Sequence, residues 1–343
     1  MRAANKSAEA KKPKRHQTDE FGRRRNSKRK ARKLLEKKAD SMPVVELAGP
    51  KLERVVDAEL VDPAPSGGIR EVFRQTYLLR LIVSRQLAQM YAASLLGLLW
   101  SYIQPALRFA VYFFVFGVVL KNAHGGIPNF ALHLFTGMVF VHYFTETWSG
   151  GTKSIWTNRA LVLKMRVPRE IFPVTSMMVA AYHTGPQVLI LAISCAVIGW
   201  HFSFVGILAG LLGLAILITF SMALALIFSA LNVFFKDFQN IVQTFTQFLH
   251  FLVPMMYAYS MLAKLGAHHK WAYELYFANP VAEAVMLLQR LFWAPTLEPK
   301  QYAKEFPPDL WERGFIMLAA CLVLLVIAQK FFARLEGKFP ERL

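Results

Sequence analysis

The sequence predicts an all-α integral membrane protein with six transmembrane helices, an amphipathic N-terminal interfacial helix, and extracytoplasmic re-entrant or surface helices between spans five and six. Hydrophobic residues make up 55% of the 343 residues, and the mean hydropathy is positive. Two segments contain no Asp, Glu, Lys or Arg: Ile171–Phe235, with 65 residues, and Phe238–Ala263, with 26. Because a helix needs about 20 apolar residues to cross a hydrocarbon core of roughly 30 Å, the first segment can cross twice and the second once. The alternative is the core of a large soluble protein, which runs of this length disfavour.

The N-terminal segment 1–68 is basic and poor in aromatic residues. Met1–Lys38 holds sixteen Lys or Arg and four acidic residues, a net charge of +12 in a chain whose net charge is +18. Such a composition cannot bury a core, so we predict a disordered cytoplasmic tail near anionic lipid headgroups. The same basic block could bind nucleic acid, but the membrane character of the remaining chain favours the lipid surface. No nucleic-acid partner is expected.

A helical stripe of apolar residues follows over 69–89, within a predicted amphipathic region 69–101. Ile69, Val72 and Leu79 lie on one side of this stripe, and Arg80 interrupts it. We interpret the stripe as a helix lying in the membrane interface. A helix packed on a partner is the alternative.

Six spans are predicted, at about 102–120, 130–148, 172–198, 204–234, 241–261 and 314–332. A turn at Gly199–His201 separates spans three and four, and Lys236 with Asp237 separates spans four and five. The loop 151–173 carries five basic residues and one acidic residue, which places it in the cytoplasm by the positive-inside rule. Both termini, including residues 336–343, are then cytoplasmic. Ala278–Trp293 is too short to span and is predicted to dip into the membrane or lie along it.

Two charges fall inside the first two predicted spans. Arg108 lies on span one and Glu146 on span two. An unpaired charge within a membrane is costly, and both residues lie near the same inner end if the spans are antiparallel. We therefore predict an ion pair between Arg108 and Glu146.

The sequence contains no G-x-x-x-x-G-K-[ST] phosphate-binding motif, so this chain is not expected to hydrolyse nucleotide itself. Two adjacent histidines in a polar loop lack a carboxylate at ligand spacing, and both cysteines lie in apolar segments. No metal site and no disulfide framework are expected. No catalytic residues are predicted.

Aromatic residues recur at helical spacing on predicted spans one and five. Their faces could stack on sugar rings and line a glycan path, whereas helix packing or lipid contact is the alternative. The candidate channel residues are Phe109, Tyr112, Phe113, Phe116, Phe245, Phe248 and Phe251.

Several motifs, taken in order, resemble the permease subunits of ABC-2 type polysaccharide exporters, which move O-antigen, capsule, teichoic acid and lipid-linked galactan. After the amphipathic helix come YAASLLGLLWSYIQP (Tyr91–Pro105), NRALVLKMRVPREIFPV (Asn158–Val174), LNVFFKDFQNIV (Leu231–Val242) and NPVAEAVMLLQRLF (Asn279–Phe292). The resemblance covers about Ile69–Leu335. The sequence departs from the family at Met90 and Ala92, where basic residues are common.

This resemblance implies a homodimer with two separate ATPase subunits that bind ATP and Mg, so the chain is expected to be a transport subunit without its own cofactor. It also implies parts of Lys264–Trp293 as re-entrant helices. The implied gate helix for lipid-linked substrate includes Phe73, Arg74, Tyr77, Arg80 and Arg85. The implied coupling helix, which docks on the ATPase, includes Lys153, Asn158, Arg159, Lys164, Arg166, Arg169 and Glu170.

The sequence therefore predicts export of a lipid-linked polysaccharide of the galactan, teichoic acid or O-antigen class across a bacterial inner membrane. One alternative is an exporter of a small hydrophobic substrate, such as a drug or heme, on the same fold. The other is a membrane glycan transferase or ligase, for which the candidate groups are Glu274, Glu283 and Arg290.

Overall fold

The computed structural model describes residues 67–92, 94–119, 127–165, 167–298 and 305–343, together with Lys33. The predicted disordered tail 1–68 therefore lies outside the described residues, apart from Lys33, Gly67 and Gly68. The residues from Asp62 to Leu343 form one compact unit. The described part of this unit is helical and contains no strand.

The amphipathic region folds as two helices, α1 (Gly68–Arg74) and α2 (Thr76–Tyr91). The remaining helices are α3 (Trp100–Tyr112), α4 (Phe130–Thr157), α5 (Arg159–Lys164), α6 (Ile171–Ile198), α7 (Phe204–Phe234), α8 (Asp237–Leu249), α9 (Tyr259–His268), α10 (Lys270–Phe277), α11 (Pro280–Phe292) and α12 (Leu310–Glu336). Short 3-10 turns occupy Gly97–Leu99, Ala294–Thr296 and Phe339–Glu341, and π-helical turns continue α3 over Phe113–Val119.

Four helical stretches in the described part of the chain are long and apolar enough to cross a membrane. They are Gly97–Val119, α6, α7 and α12. These stretches overlap predicted spans one, three, four and six, because both sets follow long apolar runs with few charges. The last of them extends beyond the predicted 314–332 at both ends.

Predicted span two corresponds to α4, which is longer and more polar than a simple span. The helix continues to Thr157, so the first part of the predicted loop 151–173 is helical. Its 28 residues extend over about 42 Å at 1.5 Å per residue. Its polar side chains include His133, Glu146 and several threonines, and the helix packs against α6 and α7. Packing inside the bundle buries His133 and most of these threonines, and α4 is not among the four stretches that are apolar enough to cross a membrane.

The prediction of a continuous fifth span over 241–261 is wrong, because α8 ends at Leu249 and helix resumes only at Tyr259. In the segment between them, the carbonyl oxygen of Met255 lies 3.1 Å from Nδ1 of His133. The side-chain amide of Gln289 donates to the carbonyl oxygen of Pro254 at 3.0 Å. In the absence of a continuous helix, the carbonyls of Pro254 and Met255 need other hydrogen-bond partners. Gln289 and His133 supply them, which allows the interrupted segment to be buried.

Helix α7 lies at the centre of the bundle, with α4, α11 and α12 packed against it. Glycines permit the close contacts between these helices. A Cβ atom at Gly151 would lie 2.5 Å from Cβ of Ala225, and one at Gly213 would lie 2.7 Å from the carbonyl oxygen of Ala284.

The turn predicted at Gly199–His201 is present, whereas the turn predicted at Lys236 and Asp237 lies one residue earlier, because Asp237 begins α8. Gly199 ends α6 with a left-handed φ of 99°, which glycine adopts without steric cost. Phe235 and Lys236 separate α7 from α8, and Nζ of Lys236 lies 3.9 Å from the ring centroid of Trp156. The turn after α7 is thereby held against the end of α4.

A hydrophobic cluster joins the two ends of the compact unit. It combines Val72 and Leu79 of the first two helices with Phe332 of α12 and Phe339 of the C-terminal turn. Val162 of α5 belongs to the same cluster. The N-terminal helices, the short helix α5 and the C-terminus therefore share one core.

Candidate functional site

Helices α1 and α2 place the predicted gate residues on the outside of the unit. Val72, Leu79 and Ile82 are buried, and α2 packs against α6. All five gate residues are exposed, and the ring of Tyr77 is 82% exposed. One face of this region packs on the bundle and the other is exposed, and the interpretation as a helix in the membrane interface stays a prediction. The gate residues are Phe73, Arg74, Tyr77, Arg80 and Arg85.

A chain of hydrogen bonds connects the end of α2 with α6 and α4. The hydroxyl of Tyr91 lies 2.6 Å from Nε2 of His183, and Nδ1 of His183 lies 2.5 Å from Oε1 of Glu146. With the imidazole proton on Nδ1, His183 donates to the carboxylate and accepts from the phenol. Sequence analysis did not identify this connection. Its only signal was the presence of His183 and Glu146 in neighbouring spans.

The predicted ion pair between Arg108 and Glu146 is not among the ion pairs of the described residues. Glu146 instead pairs with His183 and lies 3.5 Å from Nε2 of His142. Histidines on α4 and α6 are closer to the carboxylate than the guanidinium on α3. Arg108 and Glu146 nevertheless line the same cleft.

This cleft has a volume of about 490 Å³ and is lined by polar side chains. Arg108 contributes from α3, His142 and Glu146 from α4, and Thr246 from α8, with His250 directly after α8. Two further cavities, of about 390 and 250 Å³, also reach Glu146. We name the three cavities together the Glu146 cavities.

The predicted coupling residues divide into an exposed group and a buried group. Lys153, Arg159 and Lys164 are exposed, and Arg159 lies over the ring of Trp156 at 5.3 Å. Asn158 is half-buried and its amide donates to the carbonyl oxygen of Ser154. Arg166 lies outside the described residues.

Arg169 and Glu170 form the buried group. Arg169 donates to the carbonyl oxygen of Glu336 and lies 5.9 Å from the ring centroid of Phe339. Glu170 accepts from the amide of Gln329 at 2.8 Å. Both residues attach the chain before α6 to the C-terminal helix, so neither is available to a docked subunit in this conformation.

The candidate channel aromatics do not line one common path within the chain. Phe109, Tyr112 and Phe116 pack partly buried against the core, whereas Phe245, Phe248 and Phe251 are each more than half exposed. Phe113 is 37% exposed.

Phe245 does line a cavity of about 540 Å³, in which sequence analysis missed most aromatic members. These come from α4, α7 and α10, so no single helical stripe contains them. They are Phe144, Trp148, Phe220, Trp271 and Tyr276.

The three candidate groups for a transferase have separate environments. Glu274 accepts two hydrogen bonds from Arg313, at 2.9 and 3.1 Å, which lower the pKa of its carboxyl. Glu283 is fully buried with neither oxygen bonded, and burial raises the pKa of its carboxyl to about 8. Arg290 lies over the ring of Trp311. Within the described ranges, no three His, Cys, Asp or Glu side chains are placed to hold a metal ion.

Comparison with known proteins gives one family match and several relatives. The model of the family described as ABC-2 type transporter matches residues 77–293. The O-antigen export system permease protein RfbA of Myxococcus xanthus is 28% identical over 278 residues, which cover 80% of this chain and 98% of the relative. Two permeases of the same description from Klebsiella pneumoniae are 25% and 26% identical over 77% of this chain and 94% of each relative.

Proposed function

The chain belongs to the ABC-2 type transporter family, and we propose that it is the membrane permease of an ATP-driven exporter of a lipid-linked polysaccharide. As a member of this family it is a transport subunit rather than an enzyme. We propose movement from the cytoplasmic to the outer face of a bacterial inner membrane. The substrate class is that of O-antigen, teichoic acid or lipid-linked galactan, and the relatives described as O-antigen export permeases support it.

The observation that carries this proposal is the polar interior formed by the Glu146 cavities. The three cavities share Glu146 and lie between α4 and its neighbours α2, α3, α6 and α8. Of these, α6 and the stretch that contains α3 are long and apolar enough to cross a membrane. A membrane body that keeps such groups at membrane depth serves a polar substrate, because their burial is otherwise costly. A drug or heme exporter would need a mainly apolar site, and the aromatic cavity of about 540 Å³ offers one, but such a substrate would leave the polar groups around Glu146 without a role. A glycan with hydroxyl and phosphate groups fits the polar lining.

We propose six crossings with both termini in the cytoplasm. Four are the apolar stretches described above, and α4 makes the second. The fifth consists of α8 together with the non-helical segment 250–258. Irregular backbone is tolerated at membrane depth where it is buried in protein, and the contacts of His133 and Gln289 with this segment meet that condition.

We further propose that two copies of this chain assemble with two copies of a separate ATPase subunit, which binds ATP and Mg. The exposed basic side chains of Lys153, Arg159 and Lys164 would contact that subunit. Arg169 and Glu170 would pass the displacement to α12, since they bond to its Glu336 and Gln329. Packed helices transmit such a displacement as a rigid-body shift. The basic tail 1–68 would contact anionic lipids.

The test is the ATPase activity of the permease co-purified with its ATPase subunit in lipid nanodiscs. Addition of the lipid-linked glycan is expected to stimulate hydrolysis, and Arg159→Glu with Lys164→Glu is expected to abolish the stimulation. Lys264→Glu, a charge reversal at an exposed residue of α9, is the matched control. Stimulation by drugs or heme alone would favour the small-molecule exporter. Glycan modification by the isolated chain would favour the transferase, and either result would refute the proposal.

A further inference from the structure

Glu283 lies near the beginning of α11 and is fully buried. Within the described ranges, neither of its carboxyl oxygens has a hydrogen-bond partner, and none of the ion pairs includes it. An ionised carboxylate in such a site is costly, whereas a protonated carboxyl carries no charge. The structure therefore fits a Glu283 that holds its proton.

The Glu283 side chain belongs to the face of α11 that packs on α7 and α12. A Cβ atom at Gly213 of α7 would lie 3.0 Å from Cβ of Leu287. One at Gly314 of α12 would lie 3.1 Å from Cδ1 of the same leucine. Glu283 is four residues before Leu287 and shares its helical face. Since Gly314 follows Arg313 directly, Arg313 lies beside the same contact between helices.

Arg313 is the cation that acts on the Glu283 carboxyl. Burial raises the pKa of Glu283 to about 8, the charge of Arg313 opposes this shift, and the charge of Asp309 adds to it. The other guanidinium nearby, that of Arg290 on α11, lies 5.2 Å from a ring centroid of Trp311. A charge on Glu283 would therefore be felt first by Arg313.

Other titratable groups on the helices packed against α11 have different partners or carry no charge. Nδ1 of His133 on α4 lies 3.1 Å from the carbonyl oxygen of Met255. His142, Glu146 and His183 surround the Glu146 cavities, and α7 contains no ionisable side chain. The remaining titratable members of the core on these helices are phenols and thiols, which are uncharged at neutral pH. They are Tyr143, Cys195, Tyr273, Tyr276 and Cys321.

Arg313 is bonded to two carboxylates that are partly open to water. It donates two hydrogen bonds to Glu274 of α10, at 2.9 and 3.1 Å, and one to Asp309. Its guanidinium carbon lies 5.7 Å from the ring centroid of Tyr273 and 5.6 Å from that of Phe277. We name these five residues the Arg313 cluster. The cluster attaches α10 to the beginning of α12.

A buried charge on Glu283 would compete successfully with the Arg313 cluster. The side chains of Glu274 and Asp309 are 47% and 37% exposed, and ion pairs that reach water contribute little to stability. A carboxylate at Glu283 has no water to solvate it and requires a cation instead. Loss of the Glu283 proton therefore favours rotation of the Arg313 side chain from the cluster towards Glu283.

We propose that Glu283 is a proton-binding site that controls the attachment of α10 to α12. With the proton bound, Arg313 stays with Glu274 and Asp309. When the proton leaves to water, the carboxylate draws Arg313 to itself, and α10 loses its ionic contact with α12. This switch does not depend on which substrate is exported, so it is independent of the proposed function.

Infrared difference spectroscopy of the full-length chain in lipid nanodiscs tests the proton site. The C=O stretch of the protonated Glu283 carboxyl is the band that Glu283→Gln removes. We expect this band to disappear on a pH titration with a midpoint well above the ordinary value of 4.5. Arg313→Gln should raise the midpoint by about one unit, as expected for the loss of a nearby opposite charge. Glu274→Gln combined with Asp309→Asn frees Arg313 and should lower it.

A spin label on Leu275→Cys tests the attachment of α10. Leu275 is 67% exposed, and both native cysteines are buried. The mobility of the label should rise over the pH range in which the Glu283 band disappears. Glu283→Gln should keep it low at every pH, and Arg313→Gln should make it high at every pH. Glu312→Gln, which removes an exposed acid next to Arg313, is the matched control and should titrate like wild type.

Three results would overturn the proposal. The first is that no carboxyl band responds to Glu283→Gln, or that the band persists at every pH at which the chain stays folded. The second is a label mobility that stays constant or that changes equally in Glu283→Gln, since the proton then does not control α10. The third is an unchanged midpoint in Arg313→Gln, which would reject Arg313 as the responding cation. If Glu283→Gln does not fold, Glu283→Met supplies an uncharged side chain for the same comparisons.

Discussion

Substitution of Tyr91 by Phe tests whether the end of α2 is held to the bundle by His183. The change removes only the hydroxyl that lies 2.6 Å from Nε2 of His183. The side chain of His183 is 5% exposed, so its acceptor nitrogen would lose its partner with little access to water. An unsatisfied buried group costs about 1–3 kcal/mol. The free energy for local opening of α2 should fall by this amount.

Amide hydrogen exchange of Thr76–Tyr91 in nanodiscs measures this opening directly. A decrease of about 1–3 kcal/mol corresponds to exchange that is about 5- to 150-fold faster. Tyr77→Phe removes the same group from the same helix at a side chain that is 82% exposed, and should not change the rates. If both variants exchange like wild type, the hydrogen bond does not hold the helix and the reasoning is refuted.

Three further predictions concern packing, titration and anchoring. Gly151→Val should destabilise the protein by about 1–3 kcal/mol, because the added side chain overpacks against Ala225. Gly185→Ala should be tolerated, since there is open space around a Cβ at this position. Thermal unfolding in detergent compares the two variants. Burial raises the pKa of Glu283 to about 8, so the folded state retains a proton that the unfolded chain loses above its ordinary value of 4.5. Stability should therefore decline as pH rises from about 4.5 to about 8 and level off above that value. Glu283→Gln should remove this decline, whereas the exposed Glu312→Gln should keep it. Arg169→Ala should lower the melting temperature because it removes the hydrogen bond to the carbonyl of Glu336 and the contact with Phe339. Arg159→Ala should lower only ATPase stimulation, and the opposite pattern would reject the anchoring role.

The sequence predicts helices well where a bilayer penalises charge, as in the charge-free run that folds into α6 and α7. It does not predict the break after Leu249. That break depends on His133 and Gln289, which bond the carbonyls of Met255 and Pro254 from distant helices. Pro254 was a local signal, but proline alone does not distinguish a kink from an interruption.

In the candidate site, too, the sequence predicts which residues need partners, whereas the packing of the helices decides which partners they have. Sequence alone placed Glu146 at membrane depth and required a partner for it. It could not choose between Arg108 and the two histidines, because the choice depends on how α3, α4 and α6 pack. The division of the coupling segment likewise follows from contacts with α12, which are remote in sequence.

The cluster that unites Val72 with Phe339 has a consequence for biosynthesis. Helices α1 and α2 leave the ribosome before the other helices of the compact unit, yet part of the surface that covers their apolar side becomes available only when α12 and the turn Phe339–Glu341 have been made. Packing of α1 and α2 can therefore be completed only after α12 and the turn that follows it have been synthesised. A tag fused directly after Leu343, or loss of the last five residues, would therefore disturb the packing of α1 and α2 as well as that of α12.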